Sequence, residues 1–476
     1  MITLKNWKKV CAAVLFSAMT IIAAPAQTYT NLVNFDLTNG AYPGSWLSLV
    51  QGLDGNFYGT TFEGGAPDWG TVFKMTPDGS LTTMYEFCKK TGCADGAHPY
   101  SGLVQAPDGD FYGVTWAGGN DNCGVGCGTV YKITPAGKLT TLHVFDKTDG
   151  WAPYGALTQG TDGNFYGTTY QGGTYDSGTV FKITSSGTLT TLYSFDCGET
   201  KCPDGGYPYA GVVQGTDGNF YGTTYEGQNA GFYGTAFKIT PAGKLTTLHT
   251  FENTDGASPF EGLVQGSDGN FYGSTYAGGT KNYGTVFKVT AGGTFTTLYN
   301  FIDGEDGGWP ETGLVQATDG NFYGSTSVGG ANAAGTIFSI SPSGTLTTAF
   351  SGDGDIDPVV GTVMQGTDGT FYGATWNGGS SNRCTGQCGT VYSLSVGLGP
   401  FVTTLPTSGK VGAPVIILGN NLTGSTGVSF NGTAASFTVV SNSEIRTAVP
   451  TGGTTGKVEV VTPGGTLQSN VVFRVP

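Results

Sequence analysis

Between residues 155 and 195 the apolar positions never settle into a helical period. Short apolar runs follow one another instead: GALTQG, NFYGTTY, GTVFKIT and GTLTTLYSF. Thr161, Asp162 and Gly163 separate the first two, and Asp-Gly supplies the positive backbone angles of a tight hairpin. Ser185 and Ser186 separate the last two; sister segments read TPAG or TPDG there, with proline preset for the first corner of a turn. The pattern predicts a four-stranded antiparallel meander. Phe165 and Tyr166 are adjacent, so in a strand they face opposite sides, and both are aromatic. A strand wetted on one face alternates apolar with polar, so this one is expected to be covered on both.

The unit recurs. The motif D-G-x-F-Y-G starts at Asp54, Asp108, Asp162, Asp217, Asp268, Asp319 and Asp368, at intervals of 54, 54, 55, 51, 51 and 49 residues. A period near 50 marks a propeller or another repeat array. The seventh unit ends after GTVYSLSVG (389 to 397) without a fourth strand of the LTTLYSF kind, whereas YTNLVNF (29 to 35) stands alone at the start. The N-terminal strand is therefore expected to complete the last sheet, which removes the exposed edges. The predicted fold is all-β: a seven-bladed β-propeller with four-stranded blades over 27–397, a linker at 398–400, and a small Ig-like β-sandwich over 401–476.

The glycine-rich units over roughly 28 to 397 resemble the GloVer tandem-repeat family of exported bacterial proteins. That resemblance implies export and a repeat-built propeller body, and it carries no catalytic residues over. The glycine pair in TYQGG is similar to kelch repeats, but the later Tyr and Trp spacing is absent. The last 76 residues, with SGKVGAPVIILGNNL (408 to 422), GVSFNGTAA (427 to 435), SEIRTAVP (443 to 450) and GKVEVVTPGG (456 to 465), resemble an IPT/TIG domain. For an exported chain this implies a spacer or contact module.

Lys5, Lys8 and Lys9, the apolar run VCAAVLFSAMTIIAA and the A-x-A site Ala24, Pro25, Ala26 read as a signal peptide over 1–26. The expected location is periplasm, cell surface or medium, with no membrane span left after cleavage. The whole chain carries −14, and loss of the three lysines leaves −17. The final 76 residues hold four basic and two acidic side chains, so −19 sits on the repeats. Such a body repels nucleic acid and favours neutral or cationic partners, with a polysaccharide or an extracellular protein as the expected partner of a monomer. Eight cysteines remain, as Cys88 with Cys93, Cys123 with Cys127, Cys197 with Cys202 and Cys384 with Cys388. Close even pairs in an exported chain read as local disulfides, and the x4 and x3 spacings do not suit zinc.

Variable loops between strands 2 and 3, and between one unit and the next, emerge together on one face. Function is expected there. Trp69, Trp116, Trp151, Trp309 and Trp376 lie in or beside these loops. A pattern D-G-x-x-P adds Asp95, Asp149, Asp204, Asp255 and Asp306, with Asn39 in the first copy and a shifted version near Pro358. Tyr100, Tyr154, Tyr209 and Phe260 follow the prolines. Flat rings stack on pyranose faces and carboxylates accept hydroxyl hydrogen bonds, so these fourteen residues are the candidate ligand set. The rival expectation is structural: Asp-Gly turns, rigid prolines, and rings packed between units. His143 and His249 occupy the strand position of Tyr193 and Tyr299 and read as packing residues. No nucleophile motif accompanies His98, and repeated acids single out no catalytic pair, so no catalytic residue, cofactor or metal ligand is assigned. The acidic stretch 353–357 (DGDID) lacks the full calcium-loop motif.

Overall fold

The computed structural model describes residues 27–43, 49–120, 122–198, 202–227, 232–352 and 361–476. The signal segment 1–26, the acidic stretch 353–357 and Pro358 lie outside them. The described chain is all-β apart from a single 3-10 turn at Thr91–Cys93. Among the described residues no helix is long and apolar enough to cross a membrane.

Six of the repeat units each form a four-stranded antiparallel sheet in sequence order, as the hydrophobic pattern predicts, and the seventh contributes three strands to its sheet. In the third unit the strands are Thr158–Gln159, Phe165–Thr169, Thr179–Ile183 and Leu189–Ser194. The first strand is only two residues long, shorter than GALTQG suggests. Phe165–Thr169 is buried at all five positions, so the strand with an aromatic on each side is covered on each side.

The cover comes from the neighbouring sheets. Tyr166 lies 3.8 Å, centroid to centroid, from Phe220 of the next unit, and Tyr221 lies 3.7 Å from Phe271. Tyr58 with Phe111, Tyr112 with Phe165, Tyr272 with Phe322 and Tyr323 with Phe371 repeat the contact at 4.0 to 4.3 Å. The seventh Tyr, Tyr372, meets the first Phe, Phe57, at 4.0 Å, so the stack returns to its start. Gly167 between these rings and the next residues is required by space: a Cβ there would lie 2.6 Å from the Phe181 ring of its own sheet.

Polar links follow the same circuit. Seven buried threonine pairs, Thr169 with Thr179 and its sisters, join strands 2 and 3 at 2.7 to 2.9 Å. In the hairpins, Asp162 accepts from the Tyr166 hydroxyl at 2.9 Å and from Asn164, and all seven copies keep the Tyr bond. Burial pushes the Asp162 carboxyl up, but the bonds from Asn164 and Tyr166 more than reverse this. A glutamine from the next unit caps the hairpin: Thr161 N donates to Gln214 at 2.9 Å, and Thr367 N of the seventh unit donates to Gln51 of the first at 2.9 Å. Pro107 has no N–H to give, and the link to Gln159 is missing there.

The seventh sheet takes its fourth strand from the N-terminus, as expected. Thr28–Asn34 pairs antiparallel with Thr390–Ser395, from Thr28 opposite Ser395 to Asn34 opposite Thr390. The last 76 residues build two further four-stranded sheets. Val415, Ile417 and Ile445 from one pack against Val428, Phe430, Val458 and Val460 from the other. Phe401 N donates to Thr367 O at 3.0 Å and the Ser443 hydroxyl to Leu53 O at 2.8 Å. This C-terminal unit thereby touches the hairpins of the seventh and first sheets.

All four cysteine pairs are disulfide-bonded. Denatured protein of residues 27–476 should show no titratable thiol without reductant; four or more thiols would contradict these pairings. Deleting 28–36 should lower the melting temperature by roughly 10 °C or more, because it strips a strand and the buried Phe35 from the closing sheet. An unchanged melting curve would count against closure by this strand.

Candidate functional site

The loops that join one unit to the next are built around an unusual backbone. In D-G-x-x-P the residue before proline is left-handed in six units: Tyr42, His98, Ala152, Tyr207, Ser258 and Trp309, with φ of 51° to 55°. Such a conformation costs on the order of 1 kcal/mol or more for a residue with a side chain. Two hydrogen bonds offset it. Tyr207 N donates to Ser177 O of its preceding unit at 2.8 Å, and its carbonyl accepts from Tyr225 N of its own at 3.2 Å. The proline then lies against the glycine of GTVF. At Gly178 φ is +97°, and a Cβ would fall 2.5 Å from Thr169 O and 2.7 Å from Pro208 Cδ.

The five aspartates of this pattern close the loops. Asp95 is fully buried and accepts from the Tyr85 hydroxyl at 2.6 Å and from the Lys89 and Lys90 amides. Asp204 accepts from Tyr193, and Asp306 from Tyr299 at 3.0 Å. In two units histidine replaces the tyrosine: His143 Nε2 bonds Asp149 at 2.7 Å and His249 Nε2 bonds Asp255 at 2.9 Å. A carboxylate only accepts, so Nε2 carries the proton. These histidines do more than pack; they supply the same donor as the tyrosines they replace. Asn39 does the equivalent work in the first copy, accepting from Asp36 N at 3.0 Å. Asp204 also borders an open groove of about 570 Å³ beside the exposed Tyr175.

The rings divide into two groups. Trp69 packs on His98 at 4.8 Å, and Trp151 lies under the Lys147 ammonium at 5.6 Å with its indole nitrogen buried and unpartnered. His98 in turn stacks on Phe62 at 4.5 Å, so Trp69 meets the second group only through it. Tyr100, Tyr154, Tyr209 and Phe260 form a continuous chain, each 5.0 to 5.1 Å from the next. Around them stand the residues that follow strand 2 in each unit. Trp376 lies 6.3 Å from Tyr100, Trp116 6.3 Å from Tyr154, Tyr170 4.6 Å from Tyr209, and Tyr225 and Tyr276 each 5.2 Å from Phe260. Phe62 joins Tyr100 at 5.1 Å, and Trp309 reaches Tyr276 at 5.7 Å. The Trp116 indole pairs with the Tyr154 hydroxyl, and the Tyr170 and Tyr209 hydroxyls pair with each other. Successive units therefore send rings to one shared cluster on the loop face. The candidate aspartates stay at the loop bases, away from it.

Two acids in this region were not singled out by the sequence. Glu311 follows Pro310 where the other units carry Tyr100, Tyr154, Tyr209 or Phe260, and Glu261 stands where they carry Ser101, Gly155, Ala210 or Thr312. Departure from the repeat at those two positions was the available signal. Burial pushes both carboxyls up: Glu261 to about 8, with the Gly262 amide opposing, and Glu311 in the same direction, opposed by the Ser327 hydroxyl. Oε1 of Glu261 is buried without a hydrogen-bond partner.

The fold is that of an all-β, propeller-like repeat protein. The chain belongs to the Gloeobacter/Verrucomicrobia repeat family, whose model matches residues 20–232 and 208–440. Among solved structures it is similar to a fungal alcohol oxidase of the AA5 family in complex with copper, at 13% identity and a TM-score of 0.54, covering 94% of this chain and 99% of that one. A candidate 6-phosphogluconolactonase from Bacteroides uniformis matches at 18% identity, TM-score 0.43, covering 64% and 84%. A candidate oxidoreductase (glucose dehydrogenase) from Thermus thermophilus matches at 13%, TM-score 0.40, covering 78% and 100%. At 13% identity the first of these speaks for a shared fold alone. No curated protein matches by sequence.

The Glu261 carboxyl gives a signed prediction. Its pKa is about 8 folded against an ordinary 4.5, so between those values the unfolded chain ionises and the folded chain does not. Stability should fall as pH rises across that window and level off above it. The melting-temperature advantage of Glu261→Gln should therefore widen from about pH 5 to about pH 8 in scanning calorimetry. An advantage that does not vary with pH would refute it.

Proposed function

We propose that this chain is an exported, non-enzymatic binding protein whose loop face takes carbohydrate. Residues 1–26 act as the signal peptide, 27–397 as a seven-bladed β-propeller and 401–476 as an IPT/TIG-type Ig-like spacer or contact module, in a monomer. The closed Tyr–Phe circuit and the shared seventh sheet support the blade count. Four local disulfides suit an oxidising compartment.

The observation that carries the ligand class is the convergence of rings from successive units on one face. Partly exposed aromatic faces are matched to the apolar faces of sugar rings, and the hydroxyls of Tyr154, Tyr170 and Tyr209 sit among them as orienting groups. Within the candidate set, Trp116, Trp376, Tyr100, Tyr154, Tyr209 and Phe260 form the binding face, Trp309 its margin, and Trp69 and Trp151 its outer support. Asp95, Asp149, Asp204, Asp255 and Asp306 hold the loops that present it.

The test is retention of residues 27–476 on a panel of soluble and insoluble polysaccharides, with product analysis on the same samples. Retention without cleavage is expected, and Trp116→Ala or Trp376→Ala should each weaken it by roughly tenfold. Cleavage products would replace the binding role with a carbohydrate-active enzyme. Absence of both would move the chain to a protein-binding or structural role in the envelope.

A further inference from the structure

The sixth unit interrupts the aromatic circuit with an acid. Glu311 enters the cluster at the position of Tyr100, Tyr154, Tyr209 and Phe260. The backbone beside it repeats that of the ring-bearing units, Trp309 N donating to Tyr283 O at 2.8 Å and Ser327 N to Trp309 O at 3.2 Å, so its side chain leaves the loop where their rings do, and its charge acts on the Tyr100 and Tyr276 hydroxyls. The fifth unit adds a second acid directly after its ring residue Phe260. The Glu261 side chain reaches toward the sixth unit: its Oε2 lies 3.4 Å from where a Cβ on Gly313 would be, two residues from Glu311. Its Oε1 is buried and meets no donor. Among the described residues, no lysine, arginine or histidine forms an ion pair with either acid.

A neutral sugar explains the rings but leaves these carboxyls without a counterpart. A carboxylate buried without a cationic partner is a standing cost that a bound cation relieves. Ring faces attract the same cation through their quadrupoles. Aromatic faces for a sugar and a carboxylate for an ammonium are both present in one cluster.

We propose that the ligand is a cationic oligosaccharide of unacetylated amino-sugar units, whose ammonium is held by Glu311 beside the Tyr100 and Tyr276 rings. This rests on the carbohydrate reading of the loop face. The −19 of the repeats also draws cations, but over longer range; at about 0.15 M salt that attraction is largely screened, so selectivity under those conditions reports the local site.

The experiment is calorimetric titration of residues 27–476 with glucosamine oligomers and with N-acetylglucosamine oligomers of equal length, at about pH 6 and about 0.15 M salt. The parent should prefer the glucosamine oligomer by about tenfold or more, the strength of one charge-assisted contact. Glu311→Gln should bring the ratio close to 1, Glu261→Gln, which swaps a protonated acid for its neutral amide, should leave it unchanged, and Glu311→Asp, which keeps the charge, should retain a preference. Circular dichroism melts establish that each variant is folded. Equal affinity of the parent for the two oligomers, or a preference that persists in Glu311→Gln, overturns the proposal and leaves the carbohydrate reading standing. A parent that binds neither oligomer, nor any polysaccharide of the panel, overturns both.

Discussion

The contact on which the molecule depends is the stack of a tyrosine from one sheet on a phenylalanine from the next. A single four-stranded meander of this kind cannot bury its own faces; its second strand carries a large ring on each. Only a neighbour on either side takes both rings out of water, and each neighbour has the same need. The requirement ends only when the last Tyr, Tyr372, finds the first Phe, Phe57. A repeat of one dipeptide thus becomes a closed object, and the glycine that follows each Phe-Tyr is fixed by the crowding this creates.

Closure in turn makes the loop face precise. The left-handed residue before each proline is tolerable because it is tied to two units at once, and the aspartate behind it is held by a tyrosine or a histidine on the outermost strand. With the loop bases fixed in this way, the residues just past the proline are delivered inward to a common cluster. The chemistry of the face then varies one side chain at a time: a phenol, a benzyl group or, once, a carboxyl.

Much of this was legible in the sequence because it rests on local rules. Asp-Gly hairpins, proline-led turns, doubled aromatics and a missing strand at one end with a spare at the other all announce themselves within a few residues. The site was harder. Asp149 and Asp255 look like free acceptors until the histidine six residues earlier is seen to reach them across a turn. Tyr170, Tyr225 and Tyr276 looked like ordinary strand ends, since nothing local reveals that their tips meet those of Tyr209 and Phe260. Glu261 and Glu311 were visible only as departures from the repeat, and the weight of a departure depends on where the fold puts it. Pro107 is the converse case: it spoils a link between units, a loss apparent only once the partner glutamine is known.

The docking of the C-terminal unit has a geometric consequence. Its contacts, Ser443 with Leu53 and Phe401 with Thr367, are to the short hairpins of the first and seventh sheets, at the end of the ring opposite the aromatic loops. Anything joined to the molecule through that unit approaches from behind. The C-terminal unit therefore stands behind the ring and leaves the aromatic loops on its far side unobstructed.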